Sequence, residues 1–199
     1  MSGTTHAWGP KHIQIPLPIT VAFAEKNYDR DFGHAPAFSV DFPSEFLPLV
    51  DAAMSSWENV ANIDFIRVRD AVTVSDIVPD IRIGVSALAS NPTTMEFIGY
   101  TSYRVSVDSY ITPGAMVTIE DPVEHPVQAL PNGDYQYAGL ETTVFQTLLH
   151  ELGHAIGLDH NFDDPSSIMY PVLGSSNPTL TASDVEEIRS IYGFPLSFD

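Results

Sequence analysis

The chain has 199 residues, enough for one domain with a buried core and no more than a small second lobe. Hydrophobic residues make up 44% and charged residues 17%, which excludes global disorder, and no apolar run approaches the length of a membrane span. Eight basic residues face 26 acidic ones, a net charge of −18 that speaks against nucleic acid and anionic membranes as partners; with no cysteine there is no disulfide, thiolate ligand or cysteine nucleophile.

Residues 1–18 are rich in Pro and Gly and read as an extended leading segment, without the basic and apolar regions of a secretory signal peptide. His6 and His12 within it read as surface residues, with Trp8 between them able to dock the segment. A first strand is predicted over 19–25, then a loop over 27–41. Asp29-Arg30-Asp31-Phe32-Gly33 has alternating carboxylates and a glycine, which partly suits calcium; a polar surface turn is the simpler reading.

Phe46, Leu49, Val50, Ala53, Met54, Trp57 and Val60 recur at three- and four-residue steps, predicting a helix over 44–59 with Ser44 as its cap and Pro48 near its first turn. Strands are predicted at 63–68, 81–85 and 116–120, and Pro131-Asn132-Gly133-Asp134 marks a turn. Residues 91–107 give no clear period. A second helix is predicted over 143–157, buried through Phe145, Leu148, Leu149, Leu152 and Ile156. A third, over 182–192, has Thr181 as cap, Asp184 three residues on, and Gly193 with Pro195 as its stop.

The second helix carries His150-Glu151-Leu152-Gly153-His154. Histidines four apart share a helical face, so both imidazoles can reach one ion, and Glu151 can reach a water on that ion without being a ligand. His160 lies six residues past His154, about 600° of rotation and about 9 Å of rise along a straight helix. The chain must break to bring it back, and Gly157 is placed to do so. Three histidines and one open position make a catalytic rather than a closed zinc site.

The run His150 to His160 resembles the long zinc signature of the metzincin metallopeptidases, and Ser166-Ser167-Ile168-Met169-Tyr170-Pro171 resembles their methionine turn. Within that group, Trp57 to Phe65 and Asp80 to Gly84 look like serralysins. Met169-Tyr170-Pro171 and the ending Asp184 to Gly193 look like matrixins. The resemblance implies an α+β fold of metzincin type: a twisted mixed sheet with helices in an upper lobe of about 19–157, a small lower lobe of about 158–199, and an active-site cleft between. It implies zinc on His150, His154 and His160, calcium as a possible second ion, Glu151 as general base, and Met169 packed beneath the imidazoles. Pro171, Val172 and Leu173 would wall the main substrate pocket with Tyr170 nearby. Substrate would pair with an edge strand, placed near Ala115–Glu120.

The chain departs from these patterns in places. Pro171 stands where serralysins have a tyrosine, so Tyr170 is not assigned as a ligand, and Asn161 follows the third histidine where proline or serine is usual. His34 and His125 lack the neighbours of a matrixin structural zinc site. The expected protein is a secreted, monomeric zinc endopeptidase acting on proteins or peptides, either minimal or part of a longer chain. A binding module with a structural zinc, or an amidase or esterase on a non-peptide substrate, stays open at this point.

Overall fold

The computed structural model describes residues 5–9, 15–24, 38, 41–71, 76–88 and 97–196. Its sheet has five strands in the order β2-β1-β3-β5-β4, where β1 is Leu17–Phe23, β2 Ile63–Arg67, β3 Ile81–Ser86, β4 Gly99–Ser102 and β5 Ala115–Glu120. β1, β2, β3 and β5 are parallel, and β4 runs antiparallel to β5. Every residue of β3 and β5 is buried, as expected for central parallel strands covered by helices.

β1 begins two residues before the predicted strand. Leu17 already donates its N–H to the Asn62 carbonyl, and Pro18 follows where β1 has β2 as its single neighbour, so the missing donor is not needed. Asp80 then ties β1 to the start of β3: its carboxylate accepts from both the N–H and the hydroxyl of Thr20, at 2.8 and 2.7 Å. Near the same end of β3, Arg82 is buried and makes a two-bonded ion pair with Asp70 at 2.8 and 2.7 Å.

Helix α1 spans Leu47–Glu58 and is preceded by a 3-10 turn at Ser44–Phe46. Ser44 makes no capping bond; the helix starts later because Pro48, lacking an N–H, fits its first turn. Its face Leu49, Val50, Ala53, Met54 and Trp57 is buried as the spacing predicts. Helix α2, Val144–Ala155, packs on α1 and on β4 and β5. The fully buried Trp57 joins the two helices, donating its indole N–H to the Leu149 carbonyl at 3.0 Å. The Pro131–Asp134 turn joins two short strands the sequence reading did not foresee, β6 (Val127–Ala129) and β7 (Tyr135–Tyr137), with Gly133 at φ 87°. After α2 comes irregular chain to Thr181, then α3, Ala182–Tyr192. Arg189 of α3 reaches the Val60 carbonyl at 2.8 Å, which fixes this last helix beneath the end of α1.

The architecture is the α+β arrangement expected, a mixed sheet with three α-helices among the described residues. The expected edge strand is corrected. Ala115–Glu120 lies between β3 and β4 and has no free side; the edge is β4, Gly99–Ser102, inside the stretch that showed no period.

Candidate metal centre

Helix α2 presents the site because its ends are well fixed. Thr143 and Gln146 form a reciprocal capping box at its start, a signal in the sequence that went unread. At its end Gly157 adopts φ 102°, donating to the His154 carbonyl while Leu158 donates to that of Gly153. This pair of bonds is a Schellman stop, and it turns the chain back as the position of His160 requires.

His150, His154 and His160 come together with one donor atom each within 4.8 Å of one another, the sole such group of three among the described residues. His150 Nδ1 lies 2.6 Å from the Ile168 carbonyl and His154 Nδ1 lies 2.8 Å from that of Leu158. A carbonyl only accepts, so each Nδ1 must carry the ring proton, which leaves Nε2 as a bare lone pair. The two Nε2 atoms are 3.0 Å apart. Two acceptors that close repel unless a cation lies between them. A proton is a poor candidate: burial, then the neighbouring imidazole, pushes His150 down to about 3, and burial pushes His154 down to about 4. His160 is also lowered by burial, against the opposing pull of Asp159. Three neutral imidazoles with converging lone pairs fit a divalent zinc ion.

Glu151 is buried beside them and opens on a cleft of about 620 Å³. Burial pushes its carboxyl up to about 8, opposed by a hydrogen bond from Thr101. The cleft runs between β4 on one side and α2 with the later chain on the other, lined by residues that include Thr101, Thr147, His160, Pro171 and Leu173. Of the four residues expected at the pocket, Tyr170 and Val172 do not line it. The segment is held by Asn177, which donates to the Val172 carbonyl, and by Thr142, which donates to that of Leu173. Leu173 thereby packs on the core while the Val172 side chain is 69% exposed.

Met169 is fully buried, and Gly153 makes room for it: a Cβ there would stand 2.5 Å from its Sδ and 3.0 Å from Trp57. The turn around Met169 is built by Asp184, read from the sequence only as a helix-capping acid. Besides capping α3, its carboxylate accepts from the Ser167 hydroxyl and, at 3.1 Å, from the Ile168 N–H. Asn161 takes the place after the third histidine by donating its N–H to the Met169 carbonyl and accepting from Asp163 and Asp164. Asp164 in turn braces Ser166 and Ser183, and Asp159 accepts from the His160 N–H.

His6 is docked rather than free. Its ring lies edge-on to Tyr103, its Nδ1 is 3.1 Å from the Ser109 carbonyl, and Trp8 donates to the Ala155 carbonyl at 2.8 Å. His125 lies 2.8 Å from the Ala138 carbonyl and edge-on to Tyr137, a packing role. His12, His34 and the candidate calcium loop 29–33 lie outside the described residues.

Residues 43–193 match the family model for matrixin. The chain belongs to the matrixin family. Matrixins are zinc metalloendopeptidases in which calcium is common, and the histidine group above can bind their zinc. Among relatives, rabbit (Oryctolagus cuniculus) macrophage metalloelastase is 46% identical over 57 residues, 27% of this chain and 12% of that protein. Matrilysin from Felis catus is 43% identical over 58 residues, 28% and 22% of the two, and human (Homo sapiens) matrilysin 40% over 47 residues, 22% and 17%. The matched stretches thus span less than a quarter of each relative's length. The match is to matrixin and lends the serralysin likeness no specific support; Trp57, Ile63 and Phe65, read that way from the sequence, are buried core.

Proposed function

We propose that this chain hydrolyses internal peptide bonds of proteins or peptides, with zinc held by His150, His154 and His160. The observation that carries the reading is the pair of Nδ1–H donors fixed on backbone carbonyls, which aims the free nitrogens at one point beside Glu151. Zinc bound there supplies Lewis acidity toward a water and a scissile carbonyl. Glu151 takes a proton from the attacking water and returns it to the leaving amine. Met169 holds the floor of the site without touching substrate. Extended substrate pairs with the free side of β4, backbone to backbone, while Pro171 and Leu173 contact its side chains and Tyr170 supports the turn from outside the cleft.

The wider expectations belong to the same reading. The chain acts as a monomer outside the cell, with residues 1–18 as a leading segment, an upper lobe of about 19–157 and a lower lobe of about 158–199. Sedimentation of the purified protein and its distribution between culture medium and cells check the first two, and hydrogen exchange checks the division into lobes.

The central test pairs the parent with Glu151→Gln. Both are analysed for bound zinc, then incubated with casein and a mixed peptide library, with and without chelator. Zinc in both, internal cuts by the parent alone and loss of cutting on chelation are expected. Release of terminal residues only, or cutting that survives Glu151→Gln, would overturn the assignment.

A further inference from the structure

We propose that Thr101 is a positioning residue for Glu151: its hydroxyl holds carboxylate oxygen Oε2, so that proton exchange during hydrolysis runs through Oε1. This rests on the reading of Glu151 as general base. Thr101 stands on the edge strand β4, opposite Val117 of β5, with its Oγ1 2.6 Å from Glu151 Oε2 and 3.0 Å from the Glu151 main-chain carbonyl. A hydroxyl has one proton, and the shorter, charge-assisted contact takes the larger share of it. Among the described residues Oε2 receives this bond and Oε1 receives none.

Gly99 completes the arrangement. Residues two apart on a strand face the same way, so Gly99 and Thr101 both face Glu151. A Cβ at Gly99 would stand 2.5 Å from Oε1, 2.8 Å from Glu151 Cγ and 2.7 Å from Thr147 Cγ2. The strand therefore meets the two oxygens differently: Gly99 packs close to Oε1 and puts no side chain over it, and a hydroxyl engages Oε2. A carboxylate otherwise turns about its last bond with little preference between the two oxygens. Fixing that turn keeps one oxygen aimed at the reacting atoms. As water attacks and the new C–O bond forms, its proton goes to Oε1. As the C–N bond breaks, the proton passes from Oε1 to the amine nitrogen, and Thr101 keeps its own proton throughout.

The test uses the full, zinc-loaded chain with Thr101→Val, which keeps the shape and suits a strand, and Thr101→Ser, which restores the hydroxyl. A small misplacement of a catalytic group lowers turnover by about ten- to a hundredfold. Thr101→Val should lower kcat by about tenfold or more on a peptide the parent cuts, with KM, zinc affinity and melting temperature unchanged; Thr101→Ser should recover most of the loss. In the metal-free protein the carboxyl carbon resonance of Glu151 should move in Thr101→Val and return in Thr101→Ser. If Thr101→Val unfolds, Thr101→Ala makes the same comparison. Parent-like kcat in Thr101→Val overturns the proposal while leaving Glu151 as base, as does a parallel loss of zinc affinity and stability, which would make Thr101 a strut. If the parent cuts no better than Glu151→Gln, the reading of Glu151 fails and this proposal with it.

Discussion

Gly153 and Met169 share one space: where a side chain on α2 would begin, the methionine sulfur already lies, 2.5 Å from the position of a Cβ. Replacing a helical glycine with alanine by itself stabilises by about 1 kcal/mol. Gly153→Ala should instead destabilise by about 1–3 kcal/mol through overpacking, because the added methyl would meet Met169 and Trp57 at once and both are fully buried. Denaturant unfolding of the variant measures the sign. A net gain in stability would show that the methionine turn gives way.

Asp184 joins α3 to the methionine turn, and the same turn carries the Ile168 carbonyl that orients His150. Asp184→Asn replaces an acceptor of several hydrogen bonds with a group that is half donor, leaving buried donors facing an N–H. A loss of about 2–3 kcal/mol follows from hydrogen bonds to a charged group. Zinc affinity, measured by chelator competition, should fall along with stability, although Asp184 is not a ligand. Lower stability with unchanged zinc affinity would separate the turn from the metal centre.

Gly157 supports two features at once. Its φ of 102° is a conformation side chains rarely adopt, and a Cβ there would lie 1.7 Å from the His6 carbonyl oxygen. Backbone cannot swing aside as a side chain can, so Gly157→Ala should release the segment Thr5–Gly9 and cost about 1–3 kcal/mol in strain. The chain has two tryptophans, and Trp57 is fully buried. A shift of fluorescence toward that of solvated indole would therefore report Trp8 leaving its bond to Ala155.

Alkaline stability should be governed by Tyr137 and Tyr192. Burial raises both phenols above their usual value, and Tyr192 also sits between the Trp8 N–H and the Ile156 carbonyl. Ionisation is easier in the unfolded chain, so the stabilisation is intact below about pH 10 and is lost as pH rises beyond it. Phenolate absorbance from these two residues should appear together with loss of the fold, after the exposed tyrosines have titrated. The buried Tyr137 hydroxyl has only a side-chain interaction with Thr147, whose own proton goes to the Thr143 carbonyl, so Tyr137→Phe should move alkaline unfolding upward at a cost of about 1 kcal/mol or less at neutral pH.

The helices and the histidine group that can hold a metal were legible in the sequence because their signals are local. Apolar steps in α1, the His150–His154 spacing in α2, the break at Gly157 and the capping box at Thr181 each lie within a few residues. β4 was not legible. Gly99-Tyr100-Thr101-Ser102 is half-buried throughout and has no alternation, and its role comes from pairing with β5, whose own uniformly buried pattern gave no sign of which strand lay outermost. For the same reason Thr101 was missed: its partner Glu151 is fifty residues away. The docking of His6 depends on residues 103, 109 and 157, which no pattern in the leading segment announces. Asp184 was seen in its local role, while the Ser167 and Ile168 bonds that make it matter to the site are long-range.

The carbonyls that orient His150 and His154 belong to Ile168 and Leu158, both downstream of the helix that carries the histidines. During synthesis that helix emerges with two of the three histidines in place but with neither ring held in its tautomer. On the function proposed above, zinc capture is thus tied to synthesis through Ile168: the His150 ring gains its fixed tautomer only once the chain eighteen residues beyond it has been made.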